Sequence, residues 1–83
     1  MTAEEKYVLV ELARRYYKNK DMQKVTHEDL GMDLNKFNKA LKNLIQKGYL
    51  PNGTSTSSPG GKDIYFSGRE LSDKAKKIVE DYL

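Results

Sequence analysis

The sequence predicts a mainly α-helical domain with one small β-hairpin, a winged helix-turn-helix, and three observations predict it. Apolar residues recur at helical spacing between Gly31 and Gly48. A short capped segment precedes this helix across a glycine turn, as in a helix-turn-helix. Two strand-like runs, separated by a segment rich in Gly, Ser, Thr and Pro, follow it. We therefore expect the order helix, helix, helix, β-hairpin, helix in a single domain spanning residues 1–83.

The first helix begins at a capping box formed by Thr2 and Glu5. Its apolar face includes Leu9, Leu12 and Tyr16 at helical spacing. We expect it to end near Asn19, where polar residues take over.

A very short second helix is expected next. Thr26 and Asp29 repeat the cap signature, one residue after Val25, which is extended. Gly31 ends this helix because its backbone tolerates the tight turn between helices. Asp33 is then placed to cap the third helix.

The third helix runs from about Leu34 to Lys47 and has two distinct faces. Its apolar face is made of Leu34, Phe37, Leu41, Leu44 and Ile45. The opposite face carries lysine and asparagine side chains and no acid: Asn35, Lys36, Asn38, Lys39, Lys42 and Asn43.

The hairpin and the last helix complete the chain. Tyr49-Leu50 and the run from Asp63 to Ser67 are predicted as the two strands, with the tip between Asn52 and Lys62. The last helix begins around Ser72, and its apolar positions recur with helical period: Ala75, Ile78, Val79, Tyr82 and Leu83.

Composition excludes several classes of protein. The chain has no cysteine and a single histidine, so neither a disulfide framework nor a metal site is expected. The charged N-terminal residues and the lack of a long apolar run favour a cytoplasmic protein. No catalytic set or phosphate-cradling loop is present, so we expect neither enzyme activity nor a cofactor.

The polar face of the third helix predicts binding to double-stranded DNA. Lysines on such a helix can contact phosphates, and asparagine can pair with adenine in the major groove. A formal net charge of +3 is compatible with this partner. The candidate DNA-binding residues are Asn35, Lys36, Asn38, Lys39, Lys42 and Asn43, joined by Thr26 before the second helix and Lys62 beside the hairpin tip.

One set of residues is shared with a known family: residues 28–32, then Phe37, Ala40 and Leu44, and Lys47-Gly48-Tyr49-Leu50. In these residues the sequence resembles the YjcQ-like small winged-helix proteins of Gram-positive bacteria and their prophages. Ile64-Tyr65, Gly68 and residues 70–74 resemble the strand-to-helix passage after the wing in the same family. The run that begins at Leu71-Ser72 also resembles the L-[ST]-x-x-G helix start of MarR-like and PadR-like repressors, although Ala75 stands where those usually have glycine. The resemblance implies a winged-helix fold in a bacterial or phage transcriptional regulator.

Other partners stay open from the sequence. Leu34 and Asp33 at the start of the third helix, and a hairpin tip without arginine, favour a protein-interaction module whose partner is a host or phage protein. Six tyrosines interleaved with basic residues are compatible with stacking on single-stranded nucleic acid. Several of them could instead line a homodimer contact between the first and last helices. His27 is expected at the surface or on a phosphate.

Overall fold

The computed structural model describes residues 1–19, 22–57, 59–61 and 63–83. These residues form a mixed α and β domain with three α-helices and a three-stranded antiparallel sheet. In chain order the elements are α1 (Ala3–Asn19), β1 (Met22–Thr26), α2 (Leu34–Gln46), β2 (Thr54–Ser57), β3 (Ile64–Gly68) and α3 (Asp73–Val79). The sheet order is β1-β3-β2, so β3 is central. None of the helices in the described ranges is both long and apolar enough to cross a membrane.

The predicted order of four helices and a hairpin is therefore wrong. Where the second helix was expected, residues 27–31 form a hydrogen-bonded turn. Thr26 and Asp29 do exchange cap bonds, at 2.9 Å from the Thr26 amide to Asp29 Oδ2 and 3.2 Å from the Asp29 amide to Thr26 Oγ1. Gly31 then adopts a φ of 66°, which stops the turn before a helix can propagate.

The third strand, β1, lies where the sequence predicted little more than an extended Val25. Met22 pairs with Gly68 and Val25 with Phe66, so three steps along β1 match two along β3. This register shift is a β-bulge, and Lys24 adopts a φ of 55° there. The bulge leaves two polar residues between the two buried ones, which removes the alternation that identifies a strand.

The first strand of the hairpin also differs from the prediction. Tyr49-Leu50 is not a strand, because a turn follows it directly, with the Gly53 amide donating to the Leu50 carbonyl at 3.0 Å and Asn52 at a φ of 62°. Proline followed by a residue of positive φ is typical of a type II turn. β2 instead occupies residues 54–57, which had been assigned to the tip, and pairs with β3 from Thr54–Ser67 to Ser57–Ile64.

The three helices begin where the sequence predicts. α1 begins after the Thr2 cap, α2 after Asp33, and α3 after Ser72, whose Oγ accepts from the Ala75 amide at 3.1 Å. α3 is shorter than expected, because it ends at Val79. Tyr82 and Leu83 are consequently exposed and do not extend its apolar face.

The core lies between the three helices and one face of the sheet. Its largest fully buried side chains come from every layer: Phe37, Phe66, Leu9, Leu12, Met22, Leu41, Leu44, Leu50, Val8 and Val79. The start of α3 is fixed to the end of α2, since the Ser72 amide donates to the Tyr49 carbonyl and the Lys74 ammonium donates to the Lys47 carbonyl. The Lys74 ammonium also lies 4.5 Å from the centre of the Tyr49 ring, within range of a cation–π contact.

Two glycines let the ring of Phe66 lie against the backbone of the hairpin. A Cβ at Gly68 would stand 2.8 Å from Phe66 Cζ, and a Cβ at Gly53 would stand 2.9 Å from Phe66 Cε1. The ring itself is fully buried within the core. Glycine is therefore required at both positions because the Phe66 ring approaches the backbone closely. A positive φ is not the reason at either one.

We expect Gly68→Ala to lower the free energy of unfolding by about 1–3 kcal/mol, the usual cost of an overpacked core. Urea unfolding followed by far-UV circular dichroism measures it, with Ser57→Ala at an exposed strand position as the control. In a Phe66→Leu background the same substitution should cost less, because the smaller side chain vacates the contact. An equal cost in both backgrounds would show that Phe66 is not the reason for glycine here.

Candidate functional site

The outer face of α2 presents a continuous polar stripe. Asn35, Lys39, Lys42 and Gln46 are exposed and follow one another at intervals of four, three and four residues. At 3.6 residues per turn this spacing places all four side chains on one side of the helix. The opposite side is buried through Phe37, Ala40, Leu41 and Leu44. The packing of α2 therefore dictates which residues face outward.

The start of α2 is capped by its own chain. Asp33 Oδ2 accepts from the Asn35 amide at 3.1 Å and from the Lys36 amide at 3.2 Å. Leu34 is only half-buried but packs against the core cluster. The first turn consequently shows the solvent a satisfied cap and only part of one apolar side chain.

One flank of the stripe adjoins the first turn of α1. Lys36, Lys39 and Asn43 line a shallow depression together with Thr2 and Glu4. Glu4 is exposed, so a carboxylate stands beside two of the lysines. Within the described residues, none of Lys36, Lys39 and Lys42 forms an ion pair.

The other flank adjoins the hairpin. Lys42 and Gln46 line a cleft with Thr54 and Ser55 of β2. The surface beside the helix therefore carries hydroxyl groups, which donate and accept hydrogen bonds without adding charge.

Glu5 joins α1 to α2 beneath this surface. It is 2% exposed, and its carboxylate accepts from Thr2 Oγ1 at 3.1 Å, Asn43 Nδ2 at 3.3 Å and Lys47 Nζ at 3.2 Å. The Glu5 amide in turn donates to Thr2 Oγ1 at 3.1 Å, which completes the capping box. One buried carboxylate thus fixes the end of one helix against the side of another.

Burial by itself would raise the pKa of Glu5, but its hydrogen bonds and the nearby charge act more strongly in the opposite direction. Lys47, Thr2 and Asn43 all donate to the ionised carboxylate, and the charge of Lys47 stabilises it further. The net result is a pKa of Glu5 below its ordinary value. Glu5 therefore stays ionised in the fold and stabilises it above the pH at which the unfolded chain loses this proton.

The predicted site residues divide into three groups. Asn35, Lys36, Asn38, Lys39 and Lys42 share the outer side of α2, with Asn38 half-buried at its edge. Asn43 lies on the α1 flank, where its amide donates to Glu5. Thr26 lies at the end of β1 and is engaged in the turn with Asp29. Lys62 lies outside the described residues.

Sequence reasoning missed three features of this surface. Gln46 belongs to the stripe and could have been found by extending the spacing of Lys39 and Lys42 by one turn. Glu5 looked like an ordinary first-turn acid, because its partners are 38 and 42 residues away. No metal site was expected, yet His27, Glu28 and Asp63 come together at one end of the sheet.

The ends of α1 and of the chain carry exposed aromatic residues. Tyr17 and Leu83 border a shallow groove with Arg14, Lys18 and Glu80. Tyr16 and Tyr17 contact each other edge to face, with ring centres 5.3 Å apart. This is the surface that the expected homodimer would use, and the homodimer stays a prediction.

Comparison of the chain with protein-family models, with curated proteins and with solved structures gave no match. The resemblance to YjcQ-like proteins therefore stays a prediction made from the sequence.

We expect Glu5→Gln to lower the free energy of unfolding by about 2 kcal/mol at neutral pH, because hydrogen bonds to a charged group are lost or weakened. Since the pKa of Glu5 is lowered in the fold, the wild-type advantage should be complete above the unfolded pKa and disappear as the pH falls through the folded value. Urea unfolding at a series of pH values measures this dependence.

The neighbouring exposed Glu4→Gln serves as the control and should leave stability nearly unchanged. If the difference between Glu5→Gln and the wild type persisted after Glu5 was protonated, the ionised carboxylate would not be the stabilising group.

Proposed function

We propose that this protein binds double-stranded DNA through the outer face of α2 and acts as a transcriptional regulator. The observation that carries the proposal is the exposed stripe of Asn35, Lys39, Lys42 and Gln46, which contains two cations, two amides and no acid. Lysines recognise phosphates, and amide side chains can read base edges.

The dimensions of the stripe suit a major groove. At a rise of 1.5 Å per residue, the twelve residues from Asn35 to Gln46 span about 16 Å along the helix axis. A major groove about 12 Å wide admits one α-helix. In this arrangement the long side chains of Lys39 and Lys42 reach phosphates at the rim, and the amides of Asn35 and Gln46, on the same side of the helix, reach base edges.

Two features of the first turn support this orientation. Leu34 packs toward the core cluster, so it does not place an apolar side chain in the groove. The carboxylate of Asp33 is engaged by two backbone amides, which offsets part of its repulsion of phosphate. Thr54 and Ser55 lie across the cleft from Lys42 and carry hydroxyls, which would donate to the DNA backbone in the proposed complex.

The proposal predicts a measurable change in salt dependence. Lys39→Gln and Lys42→Gln should each weaken binding to a random-sequence duplex and reduce the slope of log K against log salt by about one. Lys77→Gln, at an exposed position of α3, is the matched control and should leave the slope unchanged. Fluorescence anisotropy at four salt concentrations gives the slopes.

Amide shift changes during the same titration locate the contact. Shifts concentrated in residues 35–46 and 54–55 are expected. Wild-type binding without salt dependence, or slopes that Lys39→Gln and Lys42→Gln leave unchanged, would refute the phosphate contacts. The face would then be assigned to a protein partner.

Removing the charge of Glu4 should strengthen DNA binding, whereas removing a lysine charge should weaken it. The Glu4 carboxylate stands at the depression lined by Lys36 and Lys39, where it repels phosphate and competes for these cations. Glu4→Gln should therefore tighten duplex binding severalfold at low salt, and the gain should shrink as salt screens the charge. Glu80→Gln, which removes an exposed acid at the far groove, should have little effect. Equal gains from both substitutions would indicate net charge alone.

A further inference from the structure

His27, Glu28 and Asp63 meet where β1 ends and β3 is about to begin. Thr26 pairs with Tyr65 in the antiparallel ladder, so the residues that follow Thr26 run beside those that precede Tyr65. This register brings together residues 35 or more positions apart in sequence. One nitrogen of His27 and one oxygen from each carboxylate lie within 4.8 Å of one another.

The two ring nitrogens of His27 have different hydrogen-bonding roles. Its Nδ1 lies 3.0 Å from the Met32 carbonyl oxygen, which can only accept, so Nδ1 carries a hydrogen and donates it. In the neutral ring Nε2 is then a bare lone pair, and it faces Asp63 Oδ1 at 3.4 Å. The ring is 17% exposed, and Nε2 is buried without a hydrogen-bond donor among the described residues.

The bare Nε2 and the Asp63 carboxylate oxygen are two electron-pair donors that face each other at 3.4 Å, and Glu28 brings a third such donor within 4.8 Å. A proton on Nε2 would serve His27 and Asp63 alone. A metal ion would use all three groups, and a backbone carbonyl accepting from the other ring nitrogen is the usual outer-shell partner of a metal-binding histidine. The Met32 carbonyl already occupies that position.

We propose that His27 Nε2, Asp63 and Glu28 bind a divalent transition metal of the zinc type, with one coordination position open to water. Tetrahedral zinc with bonds of about 2.0–2.1 Å requires ligand atoms about 3.3 Å apart. The distance between Nε2 and Asp63 Oδ1, 3.4 Å, matches that value. Glu28 is exposed, so its side chain can complete the site by rotation. Imidazole beside carboxylate disfavours Mg²⁺ and Ca²⁺, which prefer oxygen ligands throughout.

Such an ion would clip the turn after β1 to the start of β3. The same turn is attached to α1 by Tyr7, whose hydroxyl donates to the Leu30 carbonyl at 2.7 Å. The metal would thus add a second attachment to a turn that Tyr7 already joins to α1. This inference does not depend on the proposed binding of DNA.

The test is a titration of the ¹⁵N-labelled, tag-free protein with zinc chloride, followed by amide and imidazole resonances. His27 is the single histidine of the chain, so its ring signals need no assignment against others. We expect saturation at one equivalent, a shift of the Nε2 resonance, amide shifts confined to residues 26–32 and 63–66, and a raised melting temperature. Magnesium chloride should produce none of these.

Glu28→Gln and Asp63→Asn identify the ligands. Loss of an outer-shell partner costs roughly 10- to 100-fold in metal affinity, and loss of a ligand should cost at least as much. Glu70→Gln, at an exposed acid beyond the far end of β3, is the control and should bind as the wild type does. Because Glu28 is exposed, Glu28→Gln should fold normally, which its amide spectrum verifies.

Three results would overturn the proposal. The first is the absence of saturable shifts on adding zinc. The second is equal zinc affinity in Glu28→Gln and the wild type. The third is a ring with both nitrogens protonated that does not respond to zinc, since this would leave an ion pair between His27 and Asp63 only.

Discussion

The position of α2 depends on a single buried carboxylate. Glu5 is almost fully removed from solvent, and it accepts hydrogen bonds from its own cap residue and from two side chains of the C-terminal half of α2 and its cap. A buried charge is costly unless its partners are in place, so the two helices cannot slide past each other without exposing or orphaning it. Lys47 keeps half of its side chain in water, which limits the cost of desolvating the cation. The polar stripe is therefore held in one orientation relative to α1.

A second constraint comes from packing in the sheet, where the Phe66 ring requires space that only glycine leaves free. Phe66 fills the space beneath the hairpin only because Gly53 and Gly68 have no Cβ there. Phe66 pairs with Val25 of β1 and with Ser55 of β2, so it lies on the central strand with a partner on each side. The two glycines beside its ring are therefore a requirement of this one aromatic residue.

Local signals in the sequence predicted the features that local physics determines. The caps at Thr2, Asp33 and Ser72 located the helix starts, and the apolar period of α2 identified its outer face. The strands were harder, because the bulge at Lys24 disrupts the alternation of β1 and the serines and threonines of β2 look like a loop. Long-range partners could not be predicted, because no residue close to Glu5 in the sequence indicates Asn43, and none close to His27 indicates Asp63. The first pair becomes apparent only once the packing of α1 on α2 is known, and the second only once the strand register is known.

The bulge in β1 affects which edge of the sheet can pair with a second molecule of this protein. β1 and β2 are the two edge strands of the sheet. Edge strands have unpaired backbone N–H and C=O groups, which can form hydrogen bonds with a strand of another molecule. In β1 the left-handed Lys24 interrupts the regular spacing of those groups and adds a charge at the break. β2 has only small hydroxyl side chains and no such interruption. At high protein concentration, strands from neighbouring molecules should therefore pair with β2 and not with β1.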